Sequence, residues 1–263
     1  SISVDSLNIT GIDKSDLILL VGANTRINSS IINARIRKNY INRDLKVYSL
    51  SSVKNDLTFN YKYLGKNVDV LNDIFIKNNE ITNDFKLSKF PMVIIGDEVL
   101  ESENSKDIQM KCIQILDKAN GFREDWNGFN VLHNTASSVA SLEILSKFCD
   151  FQHKEIDDNC TKGEIKFLYL LGVDEVDYDY HGAFIVYQGH HGDVGAQKAD
   201  VVLPGAAYTE KSGIYLNLEG RLQVSERAVY PPGEAKDDWS IIRALSESID
   251  YKIDFNNIEE VRD

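Results

Sequence analysis

The stretch QGHHGDVGAQKADVVLPGAAYTEKSG, residues 188–213, places two adjacent histidines, an aspartate and several glycines directly before the apolar run ADVVLP. An apolar run that follows a glycine-rich loop is typical of a strand entering a sheet. Three interpretations of the loop are open. It is a metal site, a phosphate-binding loop, or a strand-end loop that keeps the shape of a ligand site without its chemistry.

Similar apolar runs recur along the whole chain, and four of them end at a glycine (Gly22, Gly96, Gly172 and Gly189). The runs do not alternate with polar residues, which is typical of strands buried on both faces of a parallel sheet. The predicted strands are 17–22, 45–50, 91–96, 166–172, 183–189 and 199–205, and the predicted helices are 31–40, 105–119 and 130–148. This order predicts an α/β fold with a Rossmann-like, mainly parallel sheet flanked by helices. The polar segments 52–66 and 149–164 are predicted to be long surface connections.

The composition limits which partners the chain can have. Its 263 residues include 41 acidic and 29 basic side chains, so the formal net charge is −12. Such a charge repels phosphate backbones, and we expect no nucleic-acid partner. The longest apolar run, residues 17–23, is far shorter than the ~18 residues of a membrane span. We therefore expect no direct insertion into a membrane.

The three cysteines, Cys112, Cys149 and Cys160, are too few for an all-cysteine iron–sulfur cluster, which needs four thiolates. Cys149, His153 and Cys160 share one segment, but they lack the short spacings of a structural zinc site. Isolated thiols in a reducing compartment are the alternative, and the odd number of cysteines favours it.

His190 and His191 could reach one metal ion only from a tight loop, which Gly189, Gly192 and Gly195 make plausible. Asp193 is the only further ligand nearby. The alternative is structural: one histidine hydrogen-bonds buried backbone, and the glycines let the chain turn. The sequence favours this second interpretation.

The segment LLVGANTR, residues 19–26, resembles a nucleotide-binding turn but contains only Gly22 of the three glycines that a dinucleotide fingerprint needs. A loop over residues 22–30 could still hold an anion at a helix N-terminus. Its polar residues are also ordinary helix caps. No P-loop motif occurs in the sequence.

Covalent and acid–base catalysis find little support in the sequence. Ser212 lies in EKSG, outside any strand–elbow–helix context. The carboxylate pairs Asp177–Asp179 and Asp237–Asp238 lie in acidic stretches, where we expect them to be solvated. The sequence predicts no catalytic, cofactor-binding or metal-binding residue.

The segment ADVVLPGAAYTEKSGIYLNLEGRLQ, residues 199–223, resembles the molybdopterin-dependent oxidoreductase superfamily. The preceding YQGHHGDVGA, residues 187–196, is similar to the large iron–sulfur subunit of respiratory complex I, a degenerate member of that superfamily. Colinear motifs extend the resemblance along the chain. They lie at 19–40, 91–96, 130–144, 167–174 and 231–247.

The resemblance implies one molybdopterin-oxidoreductase-like module over residues 1–263, without the cysteine motifs of the family's N-terminal iron–sulfur half. It implies a structural, non-redox part of NADH:ubiquinone oxidoreductase that braces its partners. Those partners would be the iron–sulfur half, as a separate chain or a missing segment, and other peripheral-arm subunits. Iron–sulfur clusters and FMN would reside on them, with no cofactor in this chain. The location would be the matrix side of the mitochondrial inner membrane, or the cytoplasmic face of a bacterial one.

For the opening stretch, the resemblance implies a strand-end loop inherited from a pterin-binding fold. Glu210, Lys211 and the EGR at 219–221 would stabilise it through local charged hydrogen bonds. Arg221 is then expected to be a partner in that network. Two alternatives remain: a surviving molybdopterin-dependent oxidoreductase, and a nucleotide-binding module.

Overall fold

The computed structural model describes residues 9–77, 79–135, 138–148, 153–173 and 180–262. The chain forms two compact units. Unit 1 contains the chain up to Lys147 together with Tyr215–Gln223, and unit 2 contains Phe148–Ile214 and the chain from Val224 onward. Both units alternate strands with helices around parallel sheets, which confirms the predicted α/β class.

Unit 1 begins with a 3-10 turn at Ile9–Asp13 and continues as alternating strands and helices. Its strands are β1 (Leu17–Val21), β2 (Lys46–Leu50), β3 (Lys62–Tyr63), β4 (Pro91–Ile95), β5 (Phe122–Arg123), β6 (Trp126–Asn127) and β7 (Phe129–Val131). Its helices are α1 (Thr25–Asn28), α2 (Ser30–Asn42), α3 (Val70–Asp73), α4 (Glu80–Leu87), α5 (Asp97–Leu100), α6 (Ser105–Lys118) and α7 (Ser138–Phe148). Five strands form a parallel sheet in the order β3-β2-β1-β4-β7, and β5 and β6 form a separate antiparallel pair.

The central strand β1 shows why its sequence is apolar at every position. Leu17, Leu19 and Val21 pack into the core on one face of the sheet, and Ile18 and Leu20 pack into the core on the other. Side chains alternate between the two faces of a strand, so a strand covered on both faces needs an unbroken apolar run. All five residues of β1 are buried.

Unit 2 is smaller, and its elements follow in chain order. They are α8 (His153–Thr161), β8 (Phe167–Leu171), β9 (Phe184–Gly189), α9 (Val194–Gln197), β10 (Val201–Pro204), β11 (Gly213–Leu216), β12 (Leu222–Ser225), α10 (Asp238–Ser248) and α11 (Ile258–Arg262). The strands β10, β9 and β8 form a parallel sheet in that order. The strands β11 and β12 pair with each other. The residues Tyr215–Gln223, which include the end of β11 and the start of β12, belong to unit 1.

The six predicted strands are confirmed, and three details of the prediction are wrong. The predicted helix 130–148 is a helix only from Ser138, because Phe129–Val131 pairs with β4 as an extra strand. The segment 52–66 is not purely a surface connection, since Leu57 and Phe59 are buried and β3 joins the sheet. Within 149–164, His153–Thr161 forms a helix. Residues 149–152 lie outside the described residues.

None of the helices in the described ranges combines the length and the apolar content that crossing a bilayer requires.

Candidate functional site

The carboxyl ends of β1 and β4 form the topological switch point of the unit 1 sheet, where open α/β sheets commonly bind ligands. Between these two strand ends the backbone packs directly, and a cavity of about 180 Å³ lies beside it, lined among others by Gly22, Lys66 and Glu98. Gly22 has a φ of +60°, and a Cβ added to Gly96 would lie 2.4 Å from the carbonyl oxygen of Gly22. The two glycines therefore serve direct packing of one strand end on the other.

The polar side chains of the 22–30 loop are engaged within the loop and with its neighbours. Asn24 Oδ1 accepts a hydrogen bond from the backbone N–H of Ile27 at 3.3 Å, as an N-cap of α1. The buried Thr25 donates its hydroxyl to Asn33 Oδ1 at 2.9 Å. Asn28 donates its amide to the carboxylate of Asp97. This arrangement favours the helix-cap interpretation of the loop.

Two carboxylates flank the same switch point, and both begin α5. Glu98 accepts a hydrogen bond from the backbone N–H of Ser52 at 2.7 Å, and Asp97 accepts from Asn28. Negative charge at this position opposes the binding of a phosphate group. The geometry therefore gives no support to the nucleotide-binding alternative.

A concave site in unit 1 lies beyond β7, and its two lining segments fall within the motif stretches 130–144 and 199–223. Its cavity of about 420 Å³ is lined by His133, Asn134, Thr135, Val139, Tyr215, Leu216, Asn217, Leu218 and Gln223. Burial lowers the pKa of His133, so its imidazole is neutral at pH 7. The lining is thus uncharged, and it combines two segments that are distant in sequence and that no local pattern connects.

The stretch 188–213 belongs to unit 2, and Gly189 and Gly195 in its first part pack against the ring of Tyr187. Tyr187 is fully buried and donates its hydroxyl to the backbone carbonyl of His191 at 2.9 Å. A Cβ added to Gly189 would lie 2.3 Å from that hydroxyl, and one added to Gly195 would lie 2.6 Å from the carbonyl oxygen of Val173. These glycines make room for close packing, which differs from the predicted role in turning the chain.

A polar cluster lies at the carboxyl ends of β8 and β9, and it centres on the buried Gln188. Tyr169 donates its hydroxyl to Gln188 Oε1, and Gln188 Nε2 donates to Asp238 Oδ1 at 3.0 Å. The ammonium group of Lys211 pairs with the other oxygen of Asp238. The expectation that Asp238 is solvated is wrong, because the fold of unit 2 brings a cation and an amide to its carboxylate.

The remaining motif residues make local contacts. Glu210 accepts a hydrogen bond from the backbone N–H of Ala207 at 2.9 Å. Glu219 accepts from the backbone N–H of Ile9 at 3.2 Å, far away in sequence but in the same unit. The backbone N–H of Arg221 donates to Asn217 Oδ1 at 2.9 Å, and its exposed guanidinium makes no ion pair with a described residue. Ser212 contacts Glu226 at 3.2 Å.

The two adjacent histidines lie on the surface, in contact with each other. Both imidazoles of His190 and His191 are exposed, with ring centroids 4.4 Å apart in an edge-to-face arrangement. The predicted hydrogen bond from a histidine side chain to buried backbone is therefore wrong. The backbone of His191 takes that part, as the acceptor for Tyr187.

The cysteines that the structure describes are buried in separate apolar cores. Cys112 lies in a unit 1 core and Cys160 in the unit 2 core. Burial raises the pKa of the Cys112 thiol to about 12. Cys149, Asp177 and Asp179 lie outside the described residues, as does the side chain of His153. No group of three or more His, Cys, Asp or Glu in the described part of the chain is arranged to hold a metal ion.

Residues 3–248 match the molybdopterin oxidoreductase family over most of the chain. The chain belongs to this family. Among its relatives, the G subunit of NADH-quinone oxidoreductase from Rickettsia prowazekii is 42% identical over 256 residues, which is 97% of this chain and 36% of the relative. The 75 kDa subunit of NADH-ubiquinone oxidoreductase from Reclinomonas americana is 40% identical over 260 residues, 98% of this chain and 37% of the relative.

These findings confirm the resemblance predicted from the motifs, both to the superfamily and to the large complex I subunit. The chain spans little more than a third of the length of these relatives. The stretch 188–213, which contains strand β10, lies within the matched region.

The molybdopterin oxidoreductase family implies a molybdenum–pterin group, and the described residues do not fit one. A metal-binding cysteine must be a thiolate, whereas Cys112 is held as a buried thiol. The carboxylate of Asp238 is already bound by Lys211 and Gln188. A Cβ at Gly205 would lie 2.9 Å from Asp238 Oδ1, so the chain's own carboxylate occupies the space beside Gly205.

Proposed function

We propose that this chain is a structural, non-redox part of an NADH:quinone oxidoreductase, the respiratory complex I. The observation that carries the proposal is the similarity to the bacterial G subunit and the 75 kDa subunit, which extends over 97–98% of the chain. Its role would be to brace the iron–sulfur-bearing polypeptide of the peripheral arm. Electron transfer depends on fixed separations between centres, so a rigid scaffold contributes without carrying an electron.

The internal chemistry of the chain supports a role without a cofactor of its own. In unit 1, backbone packs directly between the two strand ends at the switch point, and Asp97 and Glu98 flank it. In unit 2, the polar cluster around Gln188 is satisfied by the chain's own groups. Iron–sulfur clusters and FMN would therefore reside on partner polypeptides.

The proposed location follows from the same relatives. A complex of this kind works at a membrane, on the matrix side of the mitochondrial inner membrane or the cytoplasmic face of a bacterial one. The 75 kDa relative from Reclinomonas americana supports the first alternative, and the bacterial relatives from Rickettsia support the second. The chain would attach there through the other subunits of the peripheral arm.

The test is a metal and cofactor analysis of the native assembly. The full chain would carry an affinity tag, be purified from native membranes under mild detergent, and be assayed for Fe, Mo, W, Zn and FMN per mole of chain. We expect iron and FMN in fixed ratio to the chain, with molybdenum and tungsten at the level of an untagged control. Stoichiometric molybdenum or tungsten would overturn the proposal, as would a chain that purifies without iron and flavin.

A further inference from the structure

The register of the unit 2 sheet defines two faces. Phe167 pairs with Phe184, and Val201 pairs with Val186. Side chains alternate between the two faces along each strand, so residues that pair across neighbouring strands lie on the same face. We call the face that carries these four residues the open face. It consists of Phe167, Tyr169, Leu171, Phe184, Val186, Gln188, Val201 and Leu203.

The opposite face of the sheet carries the core of unit 2. Leu168 and Leu170 of β8 and Ile185 and Tyr187 of β9 pack there with Cys160 of α8. Residues of unit 2 itself therefore cover that face, as a parallel sheet requires.

The open face is apolar and largely uncovered at the amino ends of its strands. Phe167 is 57% exposed and Phe184 is 48% exposed, and their rings stack with centroids 6.3 Å apart. Val201 beside them is 39% exposed. The middle of this face is covered at Val186, which is buried, and Gln188 beyond it contacts Asp238 at the start of α10. Tyr169 is the one ionisable side chain of the face, in a chain in which 27% of residues are charged.

The topology explains why the described connections of this sheet leave the amino end of the face exposed. The strands β8, β9 and β10 are parallel and adjacent in chain order, and both crossovers between them run in the same direction. Right-handed crossovers then place the described parts of both connections on the same face. Sheets that are entirely parallel are normally buried on both faces, so the open face needs a cover from outside these connections. The strand β8 is also an edge that pairs only with β9 among the described residues.

We propose that the open face docks the part of a full-length complex I large subunit that lies outside the region matched by this chain. The inference rests on the proposed function. Relatives that match the chain over nearly its whole length are almost three times as long, so about two thirds of such a protein remains to contact it. An exposed apolar patch without charge, such as Phe167, Phe184 and Val201 form, suits a permanent interface better than a transient one. Burial of Phe167 and Phe184 against that polypeptide would complete the sheet's second layer.

Strand β10 offers a matched pair of variants for the test. Val201 lies on the open face, and the adjacent Val202, 51% exposed, points to the opposite side of the same strand. Tagged full chains carrying Val201→Asp, Phe184→Asp or Val202→Asp would be purified from native membranes, and co-purified iron and FMN per chain would be measured. Circular dichroism and thermal unfolding of each isolated variant would establish that it is folded.

We expect Val201→Asp and Phe184→Asp to lose at least about tenfold of the co-purified iron and FMN, because a carboxylate would be buried in the interface. Val202→Asp should retain the wild-type ratio within about twofold, since an exposed charge there is solvated. If wild type carries iron and flavin and Val201→Asp carries as much, the docking inference is overturned and the proposed function stands. If wild type carries neither, the proposed function fails and the inference fails with it.

A second test measures how accessible the open face is in the assembled complex, and it does not require disruption of that complex. Val201→Cys should react with a maleimide at least about tenfold more slowly than Val202→Cys once the complex has formed, and at a similar rate in the isolated chain. Equal rates in the complex would overturn the inference. So would an isolated chain that dimerises through this face, with Val201→Asp converting the dimer to a monomer, because the occupant would then be a second copy.

Discussion

Asp84 in helix α4 is a buried carboxylate that depends on two donors from strand β2. It accepts hydrogen bonds from Lys46 Nζ at 2.7 Å and from the Tyr48 hydroxyl at 2.5 Å. Burial alone would raise the pKa of Asp84, but these two hydrogen bonds outweigh it and hold the pKa below its ordinary value. The interaction therefore contributes stability above about pH 4, and this contribution is lost as the pH falls through the lowered pKa.

Asp84→Asn should lower the free energy of unfolding by about 1–3 kcal/mol at pH 7, because Tyr48 and Lys46 lose a charged acceptor. The difference from wild type should shrink below about pH 4, where the carboxylate of the unfolded chain is protonated before the native one, whose pKa is lowered. Urea unfolding at pH 7 and at about pH 3 measures it. Asp125→Asn, on an exposed pair with Arg123, is the control and should change little at either pH. A difference for Asp84→Asn that does not vary with pH would contradict the assignment.

Gly195 and Gly192 test the close-packing role of the glycines in the opening stretch. Alanine at Gly195 would place a methyl group 2.6 Å from the carbonyl oxygen of Val173, whereas alanine at Gly192 would meet nothing within 4 Å. We expect Gly195→Ala to reduce the free energy of unfolding by about 1–3 kcal/mol and Gly192→Ala to change it by less than about 0.5 kcal/mol. Thermal unfolding of the two variants compares them directly. Equal effects would show that these glycines serve the turn instead.

The local part of the candidate site was predictable from the sequence, and the long-range part was not. Glu210 lies near its partner Ala207 in sequence, so a local hydrogen bond could be expected. Lys211 and Gln188 both bind Asp238, which lies 27 and 50 residues away from them in the sequence. Only the sheet brings these groups together, and a run of acidic residues looks the same whether it is solvated or bound.

At the scale of elements, strands were predictable where both faces are buried, because their apolar runs are unbroken. Strand β7 was not, since its three residues become a strand only through pairing with β4. The same holds for the two-residue strand β3 beside β2. Short edge strands carry too few residues to show a period, and the neighbouring strand supplies what the local sequence lacks.

A buried side chain of the short hairpin of β5 and β6 binds the backbone of the sheet. Trp126 donates its indole N–H to the carbonyl of Pro91 at 2.9 Å in a buried position, and its ring lies edge-on to Phe90. Trp126→Phe should lower the free energy of unfolding by about 1–3 kcal/mol, because the buried Pro91 carbonyl loses its donor. Trp239→Phe is the matched control: its buried indole N–H has no partner among the described residues, so its loss should be neutral or stabilising. Urea unfolding compares the two variants, and the reverse order would contradict this account.

At the scale of the whole molecule, the two units have unequal cores. Among the described residues, the two unit 1 cores contain eighteen and fourteen buried residues, whereas the unit 2 core contains five. Stability rises with the apolar area that folding buries, and unit 2 also leaves its open face uncovered in the isolated chain. The isolated chain should therefore not unfold as one cooperative body. A partner on the open face would raise the stability of unit 2 selectively.

Each unit contains one of the chain's two tryptophans, so single-tryptophan variants report on the units separately. Trp239→Phe leaves Trp126 as the reporter of unit 1, and Trp126→Phe leaves Trp239 as the reporter of unit 2. In urea, the fluorescence midpoint of unit 2 should lie at least about 0.5 M below that of unit 1, since its smaller core gives a smaller free energy of unfolding. In each variant the substituted tryptophan lies in the other unit, so the unit whose midpoint is measured keeps its wild-type sequence. Coincident midpoints would mean that the two units unfold as one body, and that the open face does not weaken unit 2.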